Sequence, residues 1–267
     1  EMNIDCVRLL RTIKEVRPLI HHLTNFVVAN DNANAMLSIG ASPVMASAPE
    51  EVEEMTAQSD ALVLNLGTPS IETARSFLLA GRAANRKGIP VVFDPVGVGA
   101  THFRTDIAHS ILTEVNIAIL RGNPGEIASL LGMVGKVRGV GSGRVEIETG
   151  ELAFRAAQAF HTVTAITGRV DFVSDGEKVV SIHNGHMLLT TITGTGCMAT
   201  SLCGAFASVE KDGLVAASSA LGFLGSCAEI AAQNAGGPGS FRGSLFDVMY
   251  TITEEALVSL LRIEVEK

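Results

Sequence analysis

The sequence carries little charge for its length. Asp, Glu, Lys and Arg make up 18% of its 267 residues, against about 25% in an average soluble domain. The apolar set reaches 47%, so a mostly disordered chain is excluded and a large core can be filled. Positive charge is not in excess: 20 Lys and Arg face 28 Asp and Glu, a formal net charge of −8. That balance argues against a broad nucleic-acid or anionic-membrane surface and leaves room only for a local anion site. Proline is scarce too, with eight against 27 glycines, and no G-X-Y period exists, which rules out collagen-like and Pro-rich linker architectures. Four cysteines, Cys6, Cys197, Cys203 and Cys227, are too few and too scattered for a disulfide framework or a CxxC zinc site. A reducing cytoplasm is therefore expected. The first residues mix charges every few positions without an apolar core, so no secretory signal is expected. Residues 179–209 hold no charged side chain, yet His183, Asn184, His186 and a Thr/Gly cluster at 190–196 interrupt the run. It reads as buried protein rather than as a membrane span.

What is present is an alternation. Strand-length apolar runs are expected at Pro18–Leu23, Ser42–Ala46, Ala61–Leu66, Pro90–Asp94, Ile117–Leu120, Val163–Ile166, Val170–Ser174 and Val179–His183. Helical segments separate the first five: Val27–Ser38, Glu50–Gln58, Ile71–Arg86 and Thr105–Thr113. Such βαβ units predict a mainly parallel sheet covered by helices on both faces. Ser174-Asp175-Gly176 is a good hairpin turn, so the last strands are expected to add antiparallel at the edge. Residues Gly213–Asn234 are apolar or small nearly all round, marking a buried or subunit-facing helix. Glycines around Pro238 break the chain before a last helix at about Ser244–Arg262. No repeat or long linker divides the chain, so one domain over 1–267 is expected.

Ligands of an open parallel sheet gather at the carboxyl ends of its strands, and four polar clusters fall there. In the first, Asp94 ends a strand and is followed by Pro95-Val96-Gly97-Val98-Gly99; an Asp capping its own turn is the competing reading. In the second, Arg121-Gly122-Asn123-Pro124-Gly125-Glu126 offers Asn123 as N-cap, Pro124 at N1 and Glu126 at N3, which is also simply a good capping arrangement. Arg121 beside a first-turn carboxylate suits phosphate and Mg²⁺. In the third, Thr193-Gly194-Thr195-Gly196-Cys197 precedes a helix, and its glycines let several amides converge on an anion. Cys197 in the first turn is expected to have its thiolate favoured by the helix dipole, whereas Cys203 and Cys227 read as small buried hydrophobes. The fourth holds Asn25, Asn30, Asn32 and Asn34, with Met45 ending the next strand. Asn25 is in part a cap, Asn30 and Asn34 share a face, and Met45 is a soft apolar wall or core.

Other motifs fare worse. No GxxxxGK[ST] occurs, which excludes a P-loop, and no Gly-x-Ser-x-Gly elbow occurs. Gly194 to Ala199 matches G-x-G-x-x-A, but a dinucleotide fold needs a strand next and helix follows instead. His21 and His22 point to opposite faces of one strand and cannot share a metal. His183 and His186 lack a third ligand at useful spacing, and read as structural or pocket-edge residues.

Taken together, Thr24-Asn25 with the Asn-rich helix, Ala41-Ser42-Pro43-Val44-Met45, Asp94 to Ala100, Arg121 to Glu126 and Gly194-Thr195-Gly196-Cys197 resemble the ribokinase-like superfamily of small-molecule kinases, and within it the hydroxyethylthiazole kinases. The likeness runs from about Pro18 to the C-terminal helix. It implies an α/β three-layer ribokinase-like fold without a separate lid domain. Most of the superfamily places an Asp after the Gly-x-Gly turn as catalytic base; the thiazole kinases place a Cys there, as this chain does at 197. The resemblance further implies ATP-dependent phosphorylation of 4-methyl-5-(2-hydroxyethyl)thiazole, with Asp94 and Glu126 for Mg²⁺. Arg121, Thr167 and Asn123 would serve the nucleotide, and Gly194, Thr195, Gly196 and Cys197 catalysis. Met45, Asn25 and Gly194 would serve the thiazole. A homotrimer with sites between subunits is implied as well. A sister kinase for a pyrimidine or pyridoxal-like alcohol, a dinucleotide-dependent oxidoreductase and a silent binding protein are the alternatives.

Overall fold

The computed structural model describes residues 4–133 and 148–266. After helix α1 (Cys6–Val16), strands and helices alternate as β1 (Leu19–Leu23), α2 (Ala29–Ser38), β2 (Ser42–Val44), α3 (Val52–Gln58) and β3 (Ala61–Asn65). They continue as α4 (Ile71–Lys87), β4 (Val91–Asp94), α5 (His102–Glu114), β5 (Ile119–Gly122), α6 (Pro124–Leu130), α7 (Thr149–Phe160) and β6 (Val163–Ile166). Strands β7 (Asp171–Ser174) and β8 (Val179–Ile182) lead through a 3₁₀ turn at Met187–Thr191 into α8 (Thr195–Ala207) and α9 (Gly213–Gln233). The described chain closes with α10 (Pro238–Thr251), α11 (Glu254–Leu260) and β9 (Ile263–Val265).

Among the described residues, nine strands join one sheet in the order β2-β1-β3-β4-β5-β6-β7-β8-β9. Pairing is parallel from β2 to β6 and antiparallel from β6 to β9, as expected for a βαβ array extended by a hairpin. Because side chains alternate along a strand, Ile20, Val63, Val92 and Ile119 face one way and join α1, α2, α8, α9 and α10 in one core. Leu62, Leu64, Phe93 and Leu120 face the other way into a second core with α4 to α7. The helical layers on the two faces thus have separate interiors.

Some boundaries differ from those expected. Strand β5 runs two residues later than the apolar pattern predicts, so Arg121 lies within the ladder, opposite Ala165. Helix α5 begins earlier, where Thr101 caps it by accepting from the Arg104 amide. The single last helix expected at Ser244–Arg262 is two helices and a strand. Pro238 occupies the first turn of α10, whose end is followed by Thr253, and Thr253 caps α11 by accepting from Ala256. The remaining alternating Ile-Glu-Val pairs with β8. Helices α1 and α7 were not anticipated. Helix α9 is long and apolar enough to cross a membrane, but it is buried within the protein, against the sheet, α1, α8, α10 and α11.

Candidate active site

The chain leaves β1 for β2 on one side and returns to β3 on the other. This reversal opens a crevice at the carboxyl ends of β1 and β3, the place where open α/β sheets bind ligands. Asn25 lies two residues past β1, and Asn65 is the last residue of β3, in register with Asp94 at the end of β4. Arg121 comes from β5 and Thr167 follows β6. Helix α8 aims its N-terminus at the same edge.

These side chains form a continuous chain of hydrogen bonds. The Asn25 amide donates to Asn65 Oδ1 at 2.8 Å and to Cys197 Sγ at 3.7 Å. Asp94 Oδ2 accepts from Asn65 at 3.2 Å, from Arg121 at 3.2 Å and from the Thr200 hydroxyl at 2.7 Å. Arg121 also donates to Thr167 Oγ1. Every hydrogen bond to the Asp94 carboxylate is accepted by one oxygen. Its Oδ1 is buried and has no partner, and neither has Arg121 Nε. A fully buried carboxylate with an unused oxygen is costly unless something else meets it. Burial pushes the Asp94 carboxyl up to about 6, although Arg121 beside it pulls the other way.

Opposite this carboxylate stands the start of α8. Gly194 caps it with φ 87° and no side chain satisfies its first amides. The opening donors of a helix have no intrahelical partner, so those of Thr195, Gly196 and Cys197 remain available to an anion. A side chain at Gly194 would meet Val28 at 2.5 Å, and one at Gly196 would meet both terminal nitrogens of Arg121 at 2.7 Å. The amide cradle and the guanidinium therefore face each other with no room for a Cβ between them.

Several expected residues take more local roles. Asn123 and Glu126 form the reciprocal capping box of α6, with both bonds at 2.9 Å. Glu126 Oε1 additionally accepts from the Gly97 amide at 2.9 Å, which ties the loop after β4 to the start of α6. Thr195 turns its hydroxyl to the Leu189 carbonyl at 2.9 Å, fastening the 3₁₀ turn. Met45 is half-buried just past β2, and no described contact joins it to the cluster. Asn25 closes an Asx turn on the Val27 amide at 3.1 Å rather than capping α2 directly. Asn34 and Asn30 do share a face, bonded at 3.0 Å.

One expectation is overturned. Cys197 was expected to have a lowered pKa, yet its thiol is pushed up to about 11. Desolvation leads, Asp94 adds to it, and Arg121 with the two asparagines only partly offsets them. The helix end is thus outweighed by burial next to a carboxylate. Asn65 and Thr200 were missed entirely. Asn65 ends the run Ala-Leu-Val-Leu and shares its register position with Asp94; reading the polar ends of adjacent strands together would have found it. His21 and His22 do point to opposite faces, His21 toward Thr56 and His22 toward Ser201. The Gly194–Ala199 match to a dinucleotide fingerprint follows a 3₁₀ turn, and α8 is followed by α9 rather than a strand.

Comparison with known proteins agrees with this architecture. The model of the hydroxyethylthiazole kinase family matches residues 10–255. A hydroxyethylthiazole kinase of Roseiflexus sp. (strain RS-1) is 50% identical over 255 residues, covering 96% of this chain and 94% of the relative. One from Desulforudis audaxviator is 50% identical over 268 residues and covers 98% of each. The solved hydroxyethylthiazole kinase structure from Pyrococcus horikoshii OT3 superposes with a TM-score of 0.91 at 44% identity, over 98% of this chain and 99% of that one. A Bacillus subtilis pyridoxal kinase solved as an ADP complex shares the fold at 15% identity and a TM-score of 0.57, covering 79% of this chain and 91% of its own. The crevice, the amide cradle and the full-length similarity lead to one assignment: the chain belongs to the hydroxyethylthiazole kinase family.

Proposed function

We propose that this phosphotransferase moves the γ-phosphoryl group of ATP, with Mg²⁺, onto the primary alcohol of 4-methyl-5-(2-hydroxyethyl)thiazole, giving the thiazole phosphate for thiamine synthesis or salvage. The observation that carries this reading is the uncapped start of α8 facing Arg121 and the half-satisfied Asp94 carboxylate. Phosphoryl transfer asks a protein chiefly for alignment and charge neutralisation, and both are built in here.

The donor set suits Mg²⁺, which prefers oxygen ligands and keeps much of its water shell. Asp94 Oδ1 is unpartnered, while both oxygens of Glu126 already accept backbone amides. Asp94 would therefore be the principal ligand and Glu126 would act through water. When bound, the ion supplies positive charge against the terminal phosphates. Arg121 and Thr167 hold the nucleotide from the β5–β6 side. Asn123 contributes there through α6, whose start it caps. The amides of Thr195, Gly196 and Cys197 receive the charge that builds on the phosphoryl oxygens. The alcohol oxygen attacks the γ-phosphorus as the bond to the departing ADP oxygen breaks. Its proton leaves late, once the new phosphorus–oxygen bond has acidified it, and passes to an oxygen of the transferred phosphoryl group or to water. Cys197, a neutral thiol at physiological pH, orients the alcohol with Asn25 rather than stripping it of its proton early. Met45 and the Gly194 backbone complete the thiazole pocket.

The same reading takes residues 1–267 as one domain working in the cytoplasm, in keeping with four free cysteines. It takes the chain as a homotrimer with sites between subunits, in keeping with Phe26 and Val27 exposed beside Asn25, and with Met187 exposed nearby in sequence to the cradle. ADP release from ATP and Mg²⁺ across a panel of alcohols is the test. Release with hydroxyethylthiazole well above an alcohol-free control is expected. Preference for a pyridoxal-like or pyrimidine alcohol, or thermal protection by the thiazole without ADP release, contradicts it.

A further inference from the structure

We propose that Arg104 is a positioning residue whose guanidinium locks the loops after β3 and β4 together, setting Asn25 and Glu126 on the two sides of the reaction centre. The inference rests on the kinase reading above. Arg104 sits in the first turn of α5 and touches none of the groups assigned to substrate. Its Nη1 donates to the carbonyls of Leu66 at 2.6 Å and Val96 at 2.7 Å, and its Nη2 donates to the Gly67 carbonyl at 2.9 Å. Hydrogen bonds from an ionised donor are about twice as strong as neutral ones. Three of them here bind backbone from two separate loops.

Each of those carbonyls is one step from a site group. Leu66 follows Asn65, and the Gly67 amide donates to Asn65 Oδ1 at 3.0 Å. Gly67 also lies so close to Asn25 that a Cβ there would come within 2.3 Å of the Asn25 amide nitrogen. Moving Gly67 therefore moves the group that reaches the Cys197 sulfur. On the other side, Val96 precedes Gly97, whose amide holds Glu126 Oε1. Gly97 has φ 75°, and a side chain on it would press on Arg104 Cδ at 3.2 Å, so the turn is shaped to let the arginine stem pass. A lysine ammonium has one centre and cannot reproduce this planar fork to three carbonyls.

A clamp that only stabilised the fold would behave differently from one that sets catalytic geometry. Arg104→Ala is expected to lower kcat/KM for the thiazole alcohol by about 100-fold, the scale of an ångström's misplacement. The KM for ATP should change by much less than that, because Arg121 and Thr167 on the β5 and β6 side lie outside the clamp and only Glu126, on the metal side, is tied to it. Millimolar guanidinium should restore much of the lost rate, whereas urea at the same concentration should not, and Arg104→Lys should remain impaired. Full activity in Arg104→Ala, or a loss matched by the unfolded fraction and unanswered by guanidinium, overturns the proposal. Amide hydrogen exchange at Gly67 and Gly97 gives a readout that needs no substrate. It should accelerate in Arg104→Ala, and unchanged protection at both overturns the clamp even if the wild-type protein prefers another alcohol. Absence of ADP release by the wild type counts against the kinase reading instead.

Discussion

The helices on the two faces of the sheet are built differently. On the α4–α7 face, α4 presents buried Phe77, Ala80 and Ala84 to the core, and its outer side carries Arg82 and Arg86, which pair with Glu114 and Glu53. On the other face, α8 from Met198 onward is buried all round, and α9 nearly so. Other helices cover them in turn, and Phe206 and Phe223 pack across them with ring centroids 6.0 Å apart. Small residues make this possible: Gly204 lies against Val63 with no room for a Cβ, which would sit 2.7 Å from its methyl. The cradle is thus the end of a helix held on every side, and its amides need little rearrangement when charge arrives. The amphipathic face, by contrast, supplies the strand ends and their loops.

That difference predicts graded consequences. The largest is at the cradle itself: Gly196→Val should abolish ADP release, since a Cβ there comes within 2.7 Å of the Arg121 guanidinium and forces it off Asp94. The circular dichroism spectrum should keep its native shape while the melt falls. Next, Phe206→Ala should cost about 3–5 kcal/mol in urea unfolding, as for other fully buried aromatics. A smaller loss would mean that the α8–α9 layer is looser than described.

A third prediction concerns pH. Asp94 must be anionic to hold a cation, so kcat/KM should fall as the pH drops through about 6. Its effect on stability has the opposite sign. Its folded pKa is raised above the ordinary 3.8, so its contribution is full below that value and disappears as the pH rises through about 6. His22 works against it: burial lowers its pKa from 6.5 to about 4, so its contribution is lost as the pH falls through that window. The rate profile, rather than the melting temperature, is the diagnostic. An acid limb that stays flat to pH 5 sinks the assignment of Asp94.

Two smaller effects sharpen the contrast. Cys197→Ala should retain substantial turnover, losing less than the roughly 100-fold that removal of a working general base would cost. Steady-state kinetics showing it inactive would make Cys197 the base instead. On the amphipathic face, Arg82→Gln should change stability by less than about 1 kcal/mol, because exposed ion pairs are screened. An unfolding titration checks it.

The same contrast decides how much was legible beforehand. Helix α4 announces itself by periodicity, and Ser70 and Gly88 mark its ends. Strands β3 and β4 are short apolar runs closed by a polar residue. The α6 capping box is visible in Asn123-Pro124-Gly125-Glu126 because its bonds span three residues. Helix α9 has no polar side from which to orient it, so burial within one chain and burial between subunits read alike. Thr200 reaches Asp94 across 106 positions of sequence, and no local pattern announces that contact. The Cys197 thiol failed for a related reason: the helix start is local and visible, whereas the burial that outweighs it is tertiary. Strand β9 was lost because leucines at helical spacing, Leu257, Leu260 and Leu261, run directly into it.

The central claim is that Asp94 and the α8 amides grip opposite sides of one nucleotide's terminal phosphate. A crystal soaked with Mn²⁺ and a nonhydrolysable ATP analogue tests it, with the ion located by anomalous scattering. The account predicts an anomalous peak beside Asp94 Oδ1 and a γ-phosphate hydrogen-bonded to the amides of Thr195, Gly196 and Cys197. A peak away from Asp94, or a terminal phosphate that leaves those amides to water, would contradict it.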